Sequence, residues 1–165
     1  MTVRPARPGD ARAIAEVHVR TWQAAYRHAL PADVLDSLSV DERQAQWRTW
    51  LEEGANAWVA LEDDGVVGFV AVGPSRMEED TGELYAIYVL PERWGSDAAR
   101  ELMAAGVGWF REQQYVTAML WVLADNPRAR RFYEREGWRF DGTRTDVVRG
   151  VEVEEALYRL PLARD

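Results

Sequence analysis

The residues best placed to do chemistry lie at two junctions where a predicted strand runs into a predicted helix. These junctions span residues 91–98 and 123–128. A helix start presents unpaired backbone N–H groups and positive dipole potential, which together suit a phosphate. If the two strands are neighbours, both helix starts open at one sheet edge, where α/β proteins commonly bind ligands. The alternative is that both are ordinary connections, capped by Ser96 and Asn126.

The available side chains restrict the chemistry that these junctions can support. The chain has no Cys, and its 20 basic residues are all Arg. This excludes disulfides, thiolate nucleophiles, Cys-based metal sites, a P-loop Lys and Schiff-base chemistry. His18 and His28 are the two imidazoles, and neither lies in a metal-ligand pattern. We therefore expect catalysis to use carboxylates, hydroxyls, backbone groups and Arg, without a metal.

Composition and charge limit the class of protein and of partner. With 165 residues, 47% hydrophobic and 29% charged, the chain is expected to form one globular domain over residues 1–165. No apolar run approaches the ~20 residues of a membrane span, and residues 1–19 lack an apolar signal core. A cytoplasmic protein without a membrane partner is expected. The net charge of −8 argues against nucleic acid and suits a cationic substrate, although mild acidity also serves solubility.

The first junction lies within residues 83–103, which read ELYAIYVLPERWGSDAARELM. The alternating β-branched, aromatic and aliphatic residues predict a strand that stops before Pro91, because Pro cannot donate a ladder hydrogen bond. Apolar residues then recur at helical spacing as far as Phe110. The segment therefore predicts a strand, a short polar turn and a helix.

The second junction follows another buried strand, predicted at Val116–Leu123. Asn126 followed by Pro127 is a strong helix start, with Asn as the N-cap and Pro at the first helical position. We expect this helix to end at Gly137.

The rest of the chain alternates between helical and strand periodicity. We expect a helix with Asp10 as its N-cap, and another with Trp47, Trp50 and Leu51 on its inner face. The further predicted elements are an edge strand at Val3–Arg4, helices at Ala11–Tyr26, after Pro31 and at Asp41–Glu53, a hairpin of residues 58–61 and 66–72, and final strands at Trp138–Phe140 and Val151–Leu160 joined by a polar loop. This order indicates an α/β domain with a mixed sheet.

Residues 120–138, LWVLADNPRARRFYEREGW, are similar to a segment of the GNAT superfamily of N-acetyltransferases. The shared features are an Asn at a strand end, a basic helix, a Tyr and a Gly-aromatic exit. Residues 87–102, IYVLPERWGSDAAREL, resemble the family's cofactor strand and pyrophosphate loop more loosely. The resemblance extends over essentially the whole chain. It implies a single domain with a central mixed, mostly antiparallel, twisted sheet flanked by helices, and an acetyl-CoA-dependent N-acetyltransferase.

The resemblance also implies which residues would hold acetyl-CoA. The backbone of Ile87, Tyr88 and Val89 would pair with the pantetheine arm like an added strand. Asn126 would contact the cofactor arm from the next strand, and Tyr133 would lie near the thioester sulfur. The pyrophosphate would be held by the N–H groups of Gly95, Ser96, Asp97, Ala98, Ala99 and Arg100. Homodimers are common in the family, but the sequence leaves the oligomeric state open.

The chemistry of acetyl transfer suits two side chains of this set. An amine with a reference pKa of ~10.4 needs a base or a water relay, for which Glu83 is the candidate. Tyr133 could return a proton to the departing thiolate, and a strand N–H near Val89 could polarise the thioester carbonyl. Without Cys, direct attack on the thioester is favoured over a covalent acyl-enzyme. The alternatives are a solvated strand-end carboxylate for Glu83 and a core aromatic for Tyr133.

Asp97 departs from the family pattern, which reads Arg or Gln, two residues, Gly, one residue, then Gly or Ala. Trp94, Asp97 and Ala99 occupy these three positions. At ~4 Å, two like unit charges repel by about 4 kcal/mol at an effective dielectric of ~20, so Asp97 could weaken pyrophosphate binding. The carboxylate either turns outward or is offset by Arg93, Arg100 or Arg128. Otherwise it caps its own helix, and the protein is a degenerate, non-catalytic binder of a ligand or partner.

The acceptor amine cannot be identified from the sequence. His18, Trp22 and Tyr26 are spaced to line the acceptor site from the first helix, but packing into the core is the stronger expectation. Residues 78–80, all acidic, could attract a cationic acceptor or form a solvated loop.

Overall fold

The computed structural model describes residues 1–63 and 65–162, which form one seven-stranded sheet and five α-helices. Two single-turn 3-10 helices, Pro8–Asp10 and Pro91–Arg93, precede α1 and α4. The helices are α1 (Ala11–Ala25), α2 (Ala32–Asp36), α3 (Val40–Glu52), α4 (Ala98–Glu112) and α5 (Pro127–Arg135). The strands are β1 (Thr2–Pro5), β2 (Asn56–Glu62), β3 (Gly65–Pro74), β4 (Gly82–Val89), β5 (Thr117–Leu123), β6 (Arg139–Val148) and β7 (Val151–Pro161).

The strand order in the sheet is β1-β2-β3-β4-β5-β7-β6. Every neighbouring pair is antiparallel except β4 and β5, which run parallel because α4 crosses between them. The sheet is therefore mixed and mostly antiparallel, as predicted.

The two faces of the sheet bury different helices. On one face α4 packs through Leu102 and Phe110, both fully buried, against β3 and β4. On the other face Ile14 of α1 and Trp47 of α3 pack against Phe69. These two layers hold β4 between them and fix the position of both strand-to-helix junctions.

Most of the predicted elements are confirmed. The edge strand, all five helices, the β2–β3 hairpin and the strands at both junctions form within a few residues of their predicted limits. Asn126 caps α5, because its side-chain oxygen accepts a hydrogen bond from the Ala129 N–H at 3.3 Å.

Of two predictions about the N-terminal helices, one is confirmed in part and the other is wrong. Asp10 occupies the N-cap position of α1 as predicted, but its carboxylate makes no capping bond, because it accepts the Arg7 N–H at 2.8 Å and pairs with Arg4. Trp50 is 41% exposed, since it lies at the edge of the α3 face that buries Trp47.

The prediction of a polar loop between the last two strands is also wrong. Strand β6 continues to Val148, and a tight turn at Arg149 and Gly150, both with positive φ, leads into β7. Because β6 is an edge strand, its alternate residues face solvent and tolerate polar side chains. A cross-strand bond from Arg144 to Glu155 at 2.9 Å adds to the pairing.

We predict that Phe110→Ala lowers the free energy of unfolding by about 3–5 kcal/mol, because it leaves a cavity between α4 and the sheet. Urea denaturation followed by circular dichroism measures this loss. The control Val116→Ala, at a residue that is 64% exposed, should change the free energy by less than about 0.5 kcal/mol. Similar values for the two variants would contradict the assignment of Phe110 to the core.

Candidate active site

The site lies where strands β4 and β5 stop pairing. They pair only at Gly82 with Ala118 and at Glu83 with Met119. The pairing of β3 with β4 skips Tyr85, so β4 carries an irregularity just beyond the point where it leaves β5. A bulge bends its strand and increases the local twist. Beyond Glu83, the edge of β4 that faces β5 is therefore open.

A cavity of about 860 Å³ fills the gap between these strands. From Glu83 to Val89 it follows β4 for about 20 Å, at ~3.3 Å per residue. The predicted site residues that line it are Glu83, Ile87, Tyr88, Val89, Gly95, Ser96, Asp97, Ala99, Arg100, Asn126 and Tyr133. The fold thus brings the two junctions together, as the sequence analysis expects for neighbouring strands.

Ala98 is the one predicted site residue that does not line the cavity. Its side chain is fully buried in the core, and its N–H lies 3.3 Å from the Ser96 hydroxyl oxygen. The exposed Gly95 has a φ of +85°, a conformation that glycine adopts without strain and that lets the loop turn into α4.

The Asp97 carboxylate turns outward and does not cap α4. Its side chain is 68% exposed, and it forms a salt bridge with Arg100 at 2.8 Å. The carboxylate therefore both turns outward and is offset by Arg100, which are the two alternatives expected from the sequence. An exposed and paired carboxylate repels an anion far less than a buried one, because water and Arg100 screen it.

Glu83 is buried rather than solvated, so the alternative interpretation of a strand-end carboxylate in solvent is wrong. Its side chain is 2% exposed and accepts two hydrogen bonds from Arg76, one from the backbone N–H at 3.0 Å and one from the guanidinium at 2.6 Å. This bonding raises the pKa of Arg76, which therefore remains charged. Each carboxylate oxygen has a second lone pair that can still accept a proton or a water.

Tyr133 is a core aromatic residue that also faces the cavity. It packs beside Phe132, Trp138 and Tyr158, and it also lines the cavity. Burial, followed by the proximity of Tyr88, raises its pKa, while Arg128 lowers it. Tyr133 therefore stays protonated at neutral pH and can act as an O–H donor in the cavity.

The first helix contributes an aromatic wall to the cavity. Trp22 and Tyr26 line it, and the Trp22 indole N–H donates a hydrogen bond to the Tyr88 hydroxyl at 3.0 Å. His18 lies behind them, with ring centroids 5.2 Å from Tyr88 and 5.9 Å from Phe69. Burial, and then the charges of Arg43 and Arg149, lower the pKa of His18 to about 3. His18 is thus a neutral packing residue, whereas Trp22 and Tyr26 face the site.

The opposite wall comes from the C-terminal hairpin and was not predicted. Arg144 lies 3.9 Å from the Trp121 ring centre and binds Glu155 at 2.9 Å, while its distance to Asp146 is 3.5 Å. Burial raises the pKa of Glu155.

The acidic residues 78–80 do not form a simple solvated loop, because Glu78 pairs with Arg159 at 2.9 Å.

The sequence analysis also missed Arg76 and the stacking of Arg128 on Trp94. Arg76 reaches Glu83 because the loop folds back through the Ser75 N–H bond to the Thr81 carbonyl at 2.8 Å. No local pattern in the sequence announces such a contact. Arg128, by contrast, follows the recognisable helix start at Asn126 and was named as a possible partner of Asp97, but its stacking on Trp94 was not predicted.

Comparison with known proteins agrees with this geometry. The sequence model of the acetyltransferase (GNAT) family matches residues 13–138. N-acetyltransferase YuaI from Bacillus subtilis is 38% identical over 130 residues, which cover 77% of this chain and 74% of YuaI. The chain belongs to the GNAT acetyltransferase family. The predicted family and the enzyme class, N-acetyltransferases among the acyltransferases, are confirmed.

A further relative and two solved structures are also similar to this chain. Mycothiol acetyltransferase from Streptomyces griseus is 33% identical over 139 residues, which cover 84% of this chain but 43% of that protein. The structure of yncA from Salmonella typhimurium contains acetyl-CoA and superposes with a TM-score of 0.76 at 22% identity, covering 100% of this chain and 95% of yncA. PaiA N-acetyltransferase from Thermoplasma acidophilum, in complex with coenzyme A, gives a TM-score of 0.75 at 15% identity, with 98% and 99% covered. These structures confirm the predicted fold.

Residues 1–63 and 65–162 contain neither a membrane-spanning helix nor a cluster of metal ligands. Within these ranges, no helix is long and apolar enough to cross a membrane. Within the same ranges, no three His, Asp or Glu side chains are grouped as metal ligands.

We predict that His18 makes the stability of the protein depend on pH. An unfolded His has a pKa of ~6.5, so between about pH 3 and 6.5 the unfolded chain binds more protons, and the free energy of unfolding falls as the pH falls. His18 should account for a loss of about 2 kcal/mol between pH ~6.5 and ~5.

Urea unfolding of wild type and His18→Gln at several pH values measures this contribution. The difference between the two proteins in the free energy of unfolding should shrink by about 2 kcal/mol as the pH falls to ~5. The carboxylates are the same in both proteins, so their titration does not contribute to this difference. In the control Gln113→Ala, at an exposed side chain that does not titrate, the difference from wild type should stay constant. A constant difference for His18→Gln would contradict the neutral buried state.

Proposed function

We propose that the protein is an acetyl-CoA-dependent N-acetyltransferase that transfers the acetyl group directly to a primary amine of a small molecule or peptide. The observation that carries this proposal is the open edge of β4 in a cavity that also contains Glu83 and Tyr133. An amide-bearing arm can add to such an edge as an extra strand. The acetyl-CoA in yncA and the coenzyme A in PaiA, two proteins of the same fold, support this choice of donor.

Acetyl-CoA would lie along the cavity, with its acetyl group towards Glu83 and Tyr133 and its pyrophosphate at the first junction. Of the predicted residues Ile87, Tyr88 and Val89, the backbone of Ile87 and Val89 would bind the pantetheine amides, because the polar groups of alternate residues point to the same side of a strand. The Leu90 N–H bonds to Val67 of β3, so the polar groups of Tyr88, two residues away, also face β3. The pyrophosphate would be held by the N–H groups of residues 95–100 at the start of α4, where the helix dipole favours an anion. Asn126, already fixed by its cap to α5, would contact the arm from the β5 side.

Glu83 would take the proton of the attacking amine, directly or through a water. Its burial and its two hydrogen bonds from Arg76 hold the carboxylate in one orientation. A general base must be positioned in this way to reach the proton that it removes.

Tyr133 would supply a proton to the departing sulfur. Its raised pKa keeps the phenol protonated, so it first donates a hydrogen bond to the thioester sulfur and transfers the proton as negative charge develops there. A backbone N–H of β4 closer to Glu83 than Val89 would polarise the thioester carbonyl in the manner of an oxyanion hole, because Val89 lies about 20 Å along the strand from Glu83.

The reaction is a single displacement through a tetrahedral intermediate. The amine nitrogen bonds to the acetyl carbon, and the amine proton passes to Glu83 or to its water. The carbon–sulfur bond then breaks, and the thiolate takes the proton of Tyr133, which recovers a proton from solvent. The products are the N-acetylated amine and the free thiol of coenzyme A.

An amine acceptor suits the charge of the cavity at its Glu83 end. Glu83, Asp146 and Glu155 outnumber the two guanidinium groups of Arg76 and Arg144 by one charge. The aromatic side chains of Tyr26 and Trp121 beside them suit the carbon skeleton of the acceptor. The enzyme would act in the cytoplasm on such amines, without a nucleic acid or membrane partner, in agreement with its net charge of −8.

We predict that Tyr133→Phe lowers kcat by at least about 10-fold and changes the Kd for acetyl-CoA by less than about 3-fold, because it removes one hydroxyl from the cavity. Release of the coenzyme A thiol in a panel of amines identifies an acceptor and gives kcat. Calorimetry gives the Kd.

The matched control is Tyr158→Phe. This hydroxyl bonds to Arg130 and Glu134, and the residue lies outside the cavity lining. Its kcat should therefore stay close to that of wild type. Unchanged turnover of Tyr133→Phe would remove Tyr133 as the acid, and an absence of acetyl-CoA binding by wild type would overturn the proposed function itself.

A further inference from the structure

Four of the arginines that line the cavity are already paired with carboxylates. Arg93 binds Glu62 at 2.9 Å and Arg100 binds Asp97 at 2.8 Å. The other two of these ion pairs are Arg76 with Glu83 and Arg144 with Glu155. A guanidinium whose charge is already paired contributes little to the binding of an incoming anion.

Arg128 stands apart from these pairs. Among residues 1–63 and 65–162 it forms no salt bridge, and its guanidinium carbon lies 3.6 Å from the centre of the Trp94 ring. Desolvation lowers the pKa of Arg128, although the residue remains exposed to solvent. Arg135, the other unpaired cavity arginine in the described ranges, is also exposed, but it lies in the last turn of α5, about 10 Å further along the helix.

Trp94 holds this guanidinium in a defined place at the loop that leads into α4. Its indole N–H donates a hydrogen bond to the Val89 carbonyl at 2.8 Å, which ties the ring to the end of β4. Arg128 projects from the first turn of α5, on the other side of the gap. The stacked pair therefore bridges the two junctions, and the cation–π contact fixes the guanidinium without using its five N–H donors.

We propose that Arg128, positioned by Trp94, supplies the positive charge that binds the diphosphate of acetyl-CoA. The inference rests on the proposed function. It explains how the loop can bind this anion although Trp94 stands where related loops carry Arg or Gln, and although Asp97 neutralises Arg100. A guanidinium binds phosphate oxygens through two parallel hydrogen bonds, and these are stronger than bonds between neutral groups because both partners are charged.

Calorimetric titration with three probes tests the assignment. The probes are coenzyme A, dephospho-coenzyme A, which keeps the diphosphate but lacks the 3′-phosphate, and pantetheine, which lacks both. Arg128→Ala should raise the Kd by about 10-fold to 100-fold for the first two probes alike and leave the Kd for pantetheine unchanged. Arg128→Lys should recover only part of the loss, because an ammonium cannot bind bidentately.

The matched control is Arg131→Ala, an exposed arginine on the same helix outside the cavity lining, which should leave every Kd within about 2-fold. Thermal melting confirms that each variant is folded. If Arg128→Ala raises the Kd for coenzyme A but not for dephospho-coenzyme A, Arg128 binds the 3′-phosphate and the proposal is overturned. An unchanged Kd, with or without a fall in kcat, would also overturn it while leaving the proposed function intact. If wild type binds neither coenzyme A nor dephospho-coenzyme A, both proposals fail.

Discussion

The structure depends on the divergence of two parallel strands. Strands β4 and β5 share only the pairs at Gly82 and Glu83, and the irregularity at Tyr85 then carries β4 away from its neighbour. This leaves backbone polar groups at the centre of the sheet without a strand partner, which is costly unless water or a ligand satisfies them. The helices α1 and α4 hold β4 from both faces, so the gap cannot close by simple collapse of the sheet.

Paired charges allow an acidic protein to bind a highly anionic donor. Asp97 is neutralised by Arg100 at the surface, and Glu83 is neutralised by Arg76 at the buried end of the gap. The two pairs have different consequences, because one is largely solvated while the Glu83 carboxylate is 2% exposed. The Asp97–Arg100 pair reduces the repulsion of the diphosphate, and the Glu83–Arg76 pair fixes the orientation of the proposed base.

The features that could be predicted from the sequence are those fixed by residues close together in the chain. The helix start at Asn126 and Pro127 could be predicted because the cap and its target lie within one turn. The irregularity at Tyr85 could not, because the alternating pattern of β4 continues through it. The Arg76–Glu83 pair and the stacking of Arg128 on Trp94 depend on a loop fold and on two separate junctions, so no residue pattern encodes them.

The central claim is that the open edge of β4 receives the arm of acetyl-CoA. Amide hydrogen exchange, measured by mass spectrometry with and without saturating acetyl-CoA, tests it most directly because it reports on individual backbone N–H groups. The account predicts slower exchange in Ile87–Val89 and in residues 95–100, and unchanged exchange in the edge strand β6. Unchanged exchange along β4, with protection at another surface, would contradict it.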